Sequence, residues 1–167
     1  PLKSLYSTIE LKSCRIVRRH QDGNQWVCPG LDGYPIYYAE GDLRSYVSVG
    51  SRSAKSHAAL QTLRPFNSIF KGQSARTTLE WRFYRRDGRV VPFATILRYF
   101  TSLDGKKGEV LVVNRVAGPE VCHVAYVDAL ANPDAIALAR RAADDMARKF
   151  KCGSEPMVLG RTGQSPM

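Results

Sequence analysis

No apolar stretch in the chain approaches the roughly 20 residues that a membrane-spanning helix needs. Phosphate-cradling glycine loops are missing as well: neither G-x-x-x-x-G-K-[ST] nor G-x-G-x-x-G occurs. No two cysteines stand in a C-x-x-C spacing, which excludes zinc-ribbon and thioredoxin-like motifs. Histidine is scarce, and His20, His57 and His123 lie at no metal-binding spacing from one another. The sequence therefore assigns no metal ligand, no cofactor and no catalytic residue. Acids are few too. Against 15 Asp and Glu stand 25 Lys and Arg, a formal charge of +10. Such a balance supports long-range attraction to nucleic acid, anionic lipid or acidic glycan.

What is present is an ordinary globular composition, 44% hydrophobic and 24% charged, over 167 residues. That is enough chain for one domain with a real core. The opening residues Pro1-Leu2-Lys3-Ser4 carry no hydrophobic signal region, so the chain reads as a mature or trimmed product. Residues 1–153 read as a single disulfide-stapled domain. Residues 154–167, rich in Gly, Ser and Pro, read as a loosely ordered tail.

Short alternating strands with turn signals fill the body. Cys14 to Arg18 and Gln25 to Cys28 flank Gln21-Asp22-Gly23-Asn24, a hairpin signal, and Pro29-Gly30 reads as a breaker. Tyr34 to Glu40 and Leu43 to Val49 surround Gly41-Asp42; a type II′ turn there pairs Tyr38 with Ser45 and Ile36 with Val47. Ser51 to Arg64 is polar and basic, with a short helix expected around Ala58 to Leu63, and the segment is expected to be mobile. Thr77 to Tyr84 and Val90 to Phe100 pair around Asp87-Gly88. That turn sets Trp81 opposite Ala94, Leu79 opposite Ile96 and Phe83 opposite Pro92, all six on one buried face. Glu109 to Val116 and Val121 to Asp128 follow, turned by Gly118-Pro119.

A helix closes the domain, with Asn132 as N-cap, Pro133 at its first position and Gly153 past its end. Ile136, Ala139, Ala143, Met146 and Phe150 form its apolar stripe. The expected fold is α+β: a mostly antiparallel, twisted sheet of seven or eight strands with this C-terminal helix on one face.

Four cysteines permit three pairings. About seven residues of strand rise roughly 23 Å and about nineteen of helix roughly 28 Å, so a returning helix brings Cys152 to Cys122. Cys14 and Cys28 then pair within the first hairpin. The ideal Asp22-Gly23 register sets Cys14 opposite Leu31, so this second bridge demands a longer loop or a bulge. Two disulfides imply an oxidising compartment, periplasmic or secreted.

Other constellations carry little chemistry. Ser56-His57 is adjacency, not a catalytic pair. Cys122 and His123 point to opposite strand faces. Glu40 and Asp42 flank a turn, and Glu80 reads as a cross-strand ion-pair partner beside Arg82. The stretch Trp81-Arg82-Phe83-Tyr84-Arg85-Arg86 invites comparison with base-stacking sheets, but alternation turns Trp81 and Phe83 toward the core. Arg82, Arg85, Arg86 and Arg89 remain as polyanion contacts.

The runs Trp26-Val27-Cys28-Pro29-Gly30, Ala39-Glu40-Gly41-Asp42-Leu43-Arg44, Pro92-Phe93-Ala94-Thr95-Ile96 and Cys122-His123-Val124-Ala125-Tyr126-Val127-Asp128 resemble a group of small exported proteins of alphaproteobacteria. The resemblance spans roughly Leu5 to Cys152. It implies an envelope location and paired cysteines, and carries no catalytic residue over. A non-catalytic basic envelope protein that binds a protein partner or an acidic polymer is the expected function. A small hydrolase with loop-borne catalytic groups is the alternative, and a nucleic-acid-binding protein the third.

Overall fold

Alternating buried positions along several strands belong to two different cores, and this organises the whole molecule. The computed structural model describes residues 2–167. Strands β1 (Lys3–Glu10), β6 (Phe66–Ser68), β7 (Arg76–Arg86), β8 (Arg89–Leu103), β9 (Lys106–Ala117), β10 (Glu120–Asp128) and β11 (Met157–Leu159) form a seven-stranded sheet. Its path is β1-β7-β8-β9-β10-β11, with β6 paired to β8; every pairing is antiparallel except β10–β11. Strands β2 (Arg15–Arg18), β3 (Gln25–Leu31), β4 (Tyr34–Gly41) and β5 (Arg44–Val49) make a separate four-stranded meander. Helix α1 (Ala135–Met146) is extended by one 3₁₀ turn to Lys149. The α+β class and the C-terminal helix on a sheet face are as the sequence predicts. The second sheet on the other face is the finding it did not separate.

Leu97, Tyr99, Val110 and Val112 turn toward the meander and join Trp26, Ile36, Tyr38, Val47 and Val49. Their neighbours Ala94, Ile96, Leu111 and Val113 turn the other way and join Ala135, Ala139, Ala142 and Ala143 of α1. A strand buried on both faces has no polar side to show, hence the run from Phe93 to Leu97, apolar except for buried Thr95.

Several local expectations shift. The β4–β5 turn is centred on Asp42-Leu43, both at positive φ (50° and 59°), as a type I′ turn requires. Tyr38 therefore opposes Val47 and Ile36 opposes Val49, two residues from the predicted register, which leaves the faces unchanged. Phe83 does oppose Pro92. A bulge then slips the pairing by one, so that Arg82 meets Ala94 and Trp81 meets Thr95. The slip sends Leu79 and Trp81 toward the meander and Ala94 and Ile96 toward the helix, so the six do not share one face. Pro29-Gly30 bulges β3 without ending it.

Both disulfides form as expected, Cys14–Cys28 with Cα atoms 4.2 Å apart and Cys122–Cys152 at 5.7 Å. The first relies on a long loop from Arg19 to Asn24 and a bulge between Ile16 and Arg18. Asn132 is not the N-cap: the helix starts after Asp134, and the Asn132 amide instead holds Asp128 O and Arg161 O, both at 2.9 Å. The buried stripe is alanine at 135, 139, 142, 143 and 147, while Ile136 is exposed. Small residues let α1 lie close on the sheet.

Residues 154–167, expected to be loose, are tied down. Met157–Leu159 adds a parallel strand beside β10. Gln164 and Ser165 donate their N–H groups to the Asp128 carboxylate, each at 2.9 Å. Ser165 also bridges the Glu109 backbone, and a side chain at Gly108 would collide with it. The 51–65 segment is likewise anchored, with Ala58, Ala59 and Leu63 buried and Gln61 accepting the His123 N–H at 2.8 Å.

Candidate polyanion-binding site

Charge density rises where the strand ends converge. The β7–β8 hairpin turns at Asp87-Gly88 (φ 51° and 77°) and lifts Arg85, Arg86 and Arg89 into solvent. The same end holds the β3–β4 turn, the β9–β10 turn and the last turn of α1. Tyr34, Tyr84 and Phe93 supply aromatic walls. Arg85 lies 5.8 Å from the Phe83 ring centroid and Arg86 5.5 Å from that of Tyr84. Arg148, from the helix end, sits 4.6 Å over Phe93 and 5.8 Å over Tyr84. Cationic groups over ring faces are held in place yet keep their outer donors free.

Two adjoining clefts open here. The wider, about 500 Å³, is lined by Leu5, Leu31, Asp32, Tyr34, Arg89 and Pro92 among others. The narrower, about 180 Å³, lies between Tyr84, Phe93, Val116, Arg115 and Arg148, and shares Tyr34 and Pro92 with the first. Among the described residues, no ion pair includes Arg85, Arg86, Arg89, Arg115 or Arg148.

The four predicted contacts separate. Arg85, Arg86 and Arg89 lie at this end. Arg82 does not: its guanidinium grips both oxygens of Asp144 on α1, at 2.9 and 2.7 Å, and its side chain is only 11% exposed. Glu80 is no partner of Arg82 either; it receives Arg140 of the helix at 2.7 and 3.2 Å. Ser4 Oγ joins the two pairs, donating to Glu80 at 2.5 Å and accepting from Arg82 at 2.9 Å. Arg115, Arg148 and Tyr34 were missed as site residues. A lone arginine within the apolar strand that carries Arg115 is the signal that could have found one of them.

Acid–base chemistry is poorly served. His123 is fully buried, its Nδ1 2.7 Å from Tyr126 Oη, and its Nε2 has no partner. Burial pushes the imidazole down to about 3 and the Tyr126 phenol up to about 12. Both shifts keep the pair neutral, opposite to what a base and a nucleophile near neutral pH need. Ser56 Oγ is taken by Ser48 Oγ at 2.6 Å and the Ser53 carbonyl at 2.9 Å. Glu40 accepts from Tyr38, and Asp42 pairs with Arg44. Among the described residues, no group of three His, Cys, Asp or Glu is placed to hold a metal.

No protein family, curated protein or solved structure matches the chain.

Proposed function

We propose that the protein is a non-catalytic, exported binding module for an acidic polymer, engaged at the basic, aromatic-walled end. The observation that carries this reading is that Arg89 lines the wider cleft and Arg115 and Arg148 the narrower one, with exposed Arg85 and Arg86 on the hairpin beside them, and among the described residues none of the five is in an ion pair. Export is supported by the two disulfides, which persist in oxidising compartments. Among the described residues, no helix is long and apolar enough to cross a membrane. A calorimetric titration with a heparin-like polysaccharide and with mixed-sequence DNA over a salt series tests it. Affinity on the order of 10⁻⁴ to 10⁻⁶ M that falls steeply with salt is expected for both. Absence of salt-dependent binding to either would overturn the reading. Nanomolar binding of one DNA sequence at physiological salt would replace it with a nucleic-acid reader.

A further inference from the structure

A guanidinium carries five N–H donors, and a buried donor without an acceptor is costly. Arg115 projects from β9 on the helix side, where it lines the narrower cleft. Its Nη1 donates to Ala147 O at 2.8 Å, but its Nε is buried and unpartnered. Arg148 lines the same cleft, with Nη2 on Asp144 O at 3.3 Å and its plane over Phe93. Both guanidinium groups are thus steadied by carbonyls of the helix end. Such bonds favour a cation there through the helix dipole, yet they leave each arginine's remaining donors without an anion. Two like charges share one small space.

The walls select what would neutralise them. Val91, Pro92, Val116, Phe93, Tyr84 and Tyr34 give the cleft an apolar and aromatic lining, which suits a group with a carbon body better than a hydrated inorganic ion. A planar guanidinium fork matches the two oxygens of a carboxylate. The space of about 180 Å³ corresponds to about six waters, which suits one ring-sized unit. In the adjoining cleft Asp32 partly offsets Arg89, so the narrow cleft is the more positive of the two. Resting on the polymer-binding reading above, we infer that the Arg115–Arg148 cleft binds one sugar-borne carboxylate, a uronate unit of the acidic polymer. The chain then continues through the wider cleft past Arg89.

The test uses the full chain and glucuronate, with glucose and inorganic phosphate as comparison ligands, followed by the NMR signals of the arginine Nε–Hε groups. Glucuronate is expected to shift the Arg115 signal with a Kd on the order of 1 mM, while glucose leaves it in place and phosphate acts at least about tenfold more weakly. Arg148→Met, which keeps an apolar cover on Phe93, should weaken glucuronate about tenfold and leave the melting temperature within a few degrees. No shift at about 50 mM glucuronate, an equal shift with phosphate or glucose, or unchanged affinity in Arg148→Met would each overturn the inference. Salt-dependent polysaccharide binding that survives any of these results leaves the wider reading standing; its absence removes both.

Discussion

Arg82 and Arg85 stand three residues apart on one strand and belong to opposite kinds of site. Arg82 and Arg140 each meet a carboxylate, Asp144 and Glu80, in a seam that locks α1 to the sheet, with Ser4 and Tyr6 completing it. Arg85, Arg86, Arg115 and Arg148 meet rings, carbonyls or the Tyr84 hydroxyl, and Arg89 is exposed. Each of these arginines adds the same single positive charge to the sequence total. Only the second set has that charge to offer, because a guanidinium already bidentate on a carboxylate has little left for a ligand. Surface charge is therefore a poor guide to binding until each partner is known.

The interior behind both sets gives the largest expected effect. Trp81 is fully buried between the sheets, edge-on to Tyr34, with its indole N–H on Ser7 Oγ at 2.8 Å. Trp81→Ala should cost about 3 to 5 kcal/mol in urea denaturation. A loss below about 1 kcal/mol would mean the sheets are not packed through this ring.

Next comes the paired set. Glu80→Ala strips Arg140 and Ser4 of their acceptor, and the Glu80 side chain is only 8% exposed. We expect a loss of about 2 to 3 kcal/mol by the same assay, less than for a fully buried pair because the Arg140 side chain is 40% exposed. Arg85→Ala should change stability by less than about 0.5 kcal/mol. Equal costs would erase the distinction between the two sets.

Acid should loosen the fold through His123, a group outside both sets. Its folded pKa, lowered by burial to about 3, lies below the ordinary 6.5. Between those values the unfolded chain holds a proton that the folded chain refuses. Stability is thus intact above pH 6.5 and falls on acidification by about 1.4 kcal/mol per pH unit. Asp128 adds to this only at lower pH. Burial alone would raise its pKa, but hydrogen bonds from Ser165, Gln164 and Ala131 outweigh that and hold it below the ordinary carboxylate value. Its contribution is lost as pH drops through that lowered value. His123→Phe should flatten the slope between pH 6 and 4, and an unchanged slope would assign it elsewhere.

Much of this architecture is written locally. Turn residues such as Asp87-Gly88 and Gly118-Pro119 fix hairpins, and the matched lengths of β10 and α1 fix Cys122–Cys152. The division into two sheets is not local. Nor is the choice of face along β7 and β8, which turns on the single-residue slip between Arg82 and Phe83. Pro92, which cannot donate to a ladder, is its nearest sequence mark. The tail is anchored by Asp128, Asn132 and Ser165, polar residues whose partners lie about 30 residues or more away in the chain. The hairpin arginines of the candidate site were legible from their clustering. Arg115 and Arg148 were not, since their meeting depends on where the helix ends against β9.

The claim that a site, and not net charge, binds the polymer is tested by two variants with the same charge change. Arg85→Glu/Arg86→Glu alters the site. Lys106→Glu/Lys107→Glu alters the exposed lysines beside the β8–β9 turn, at the far end of β8. Affinity for a heparin-like polysaccharide is measured for both at one salt concentration. The account predicts a loss of about tenfold or more in the first variant and less than about threefold in the second. Equal losses would contradict it and leave only a diffuse positive surface.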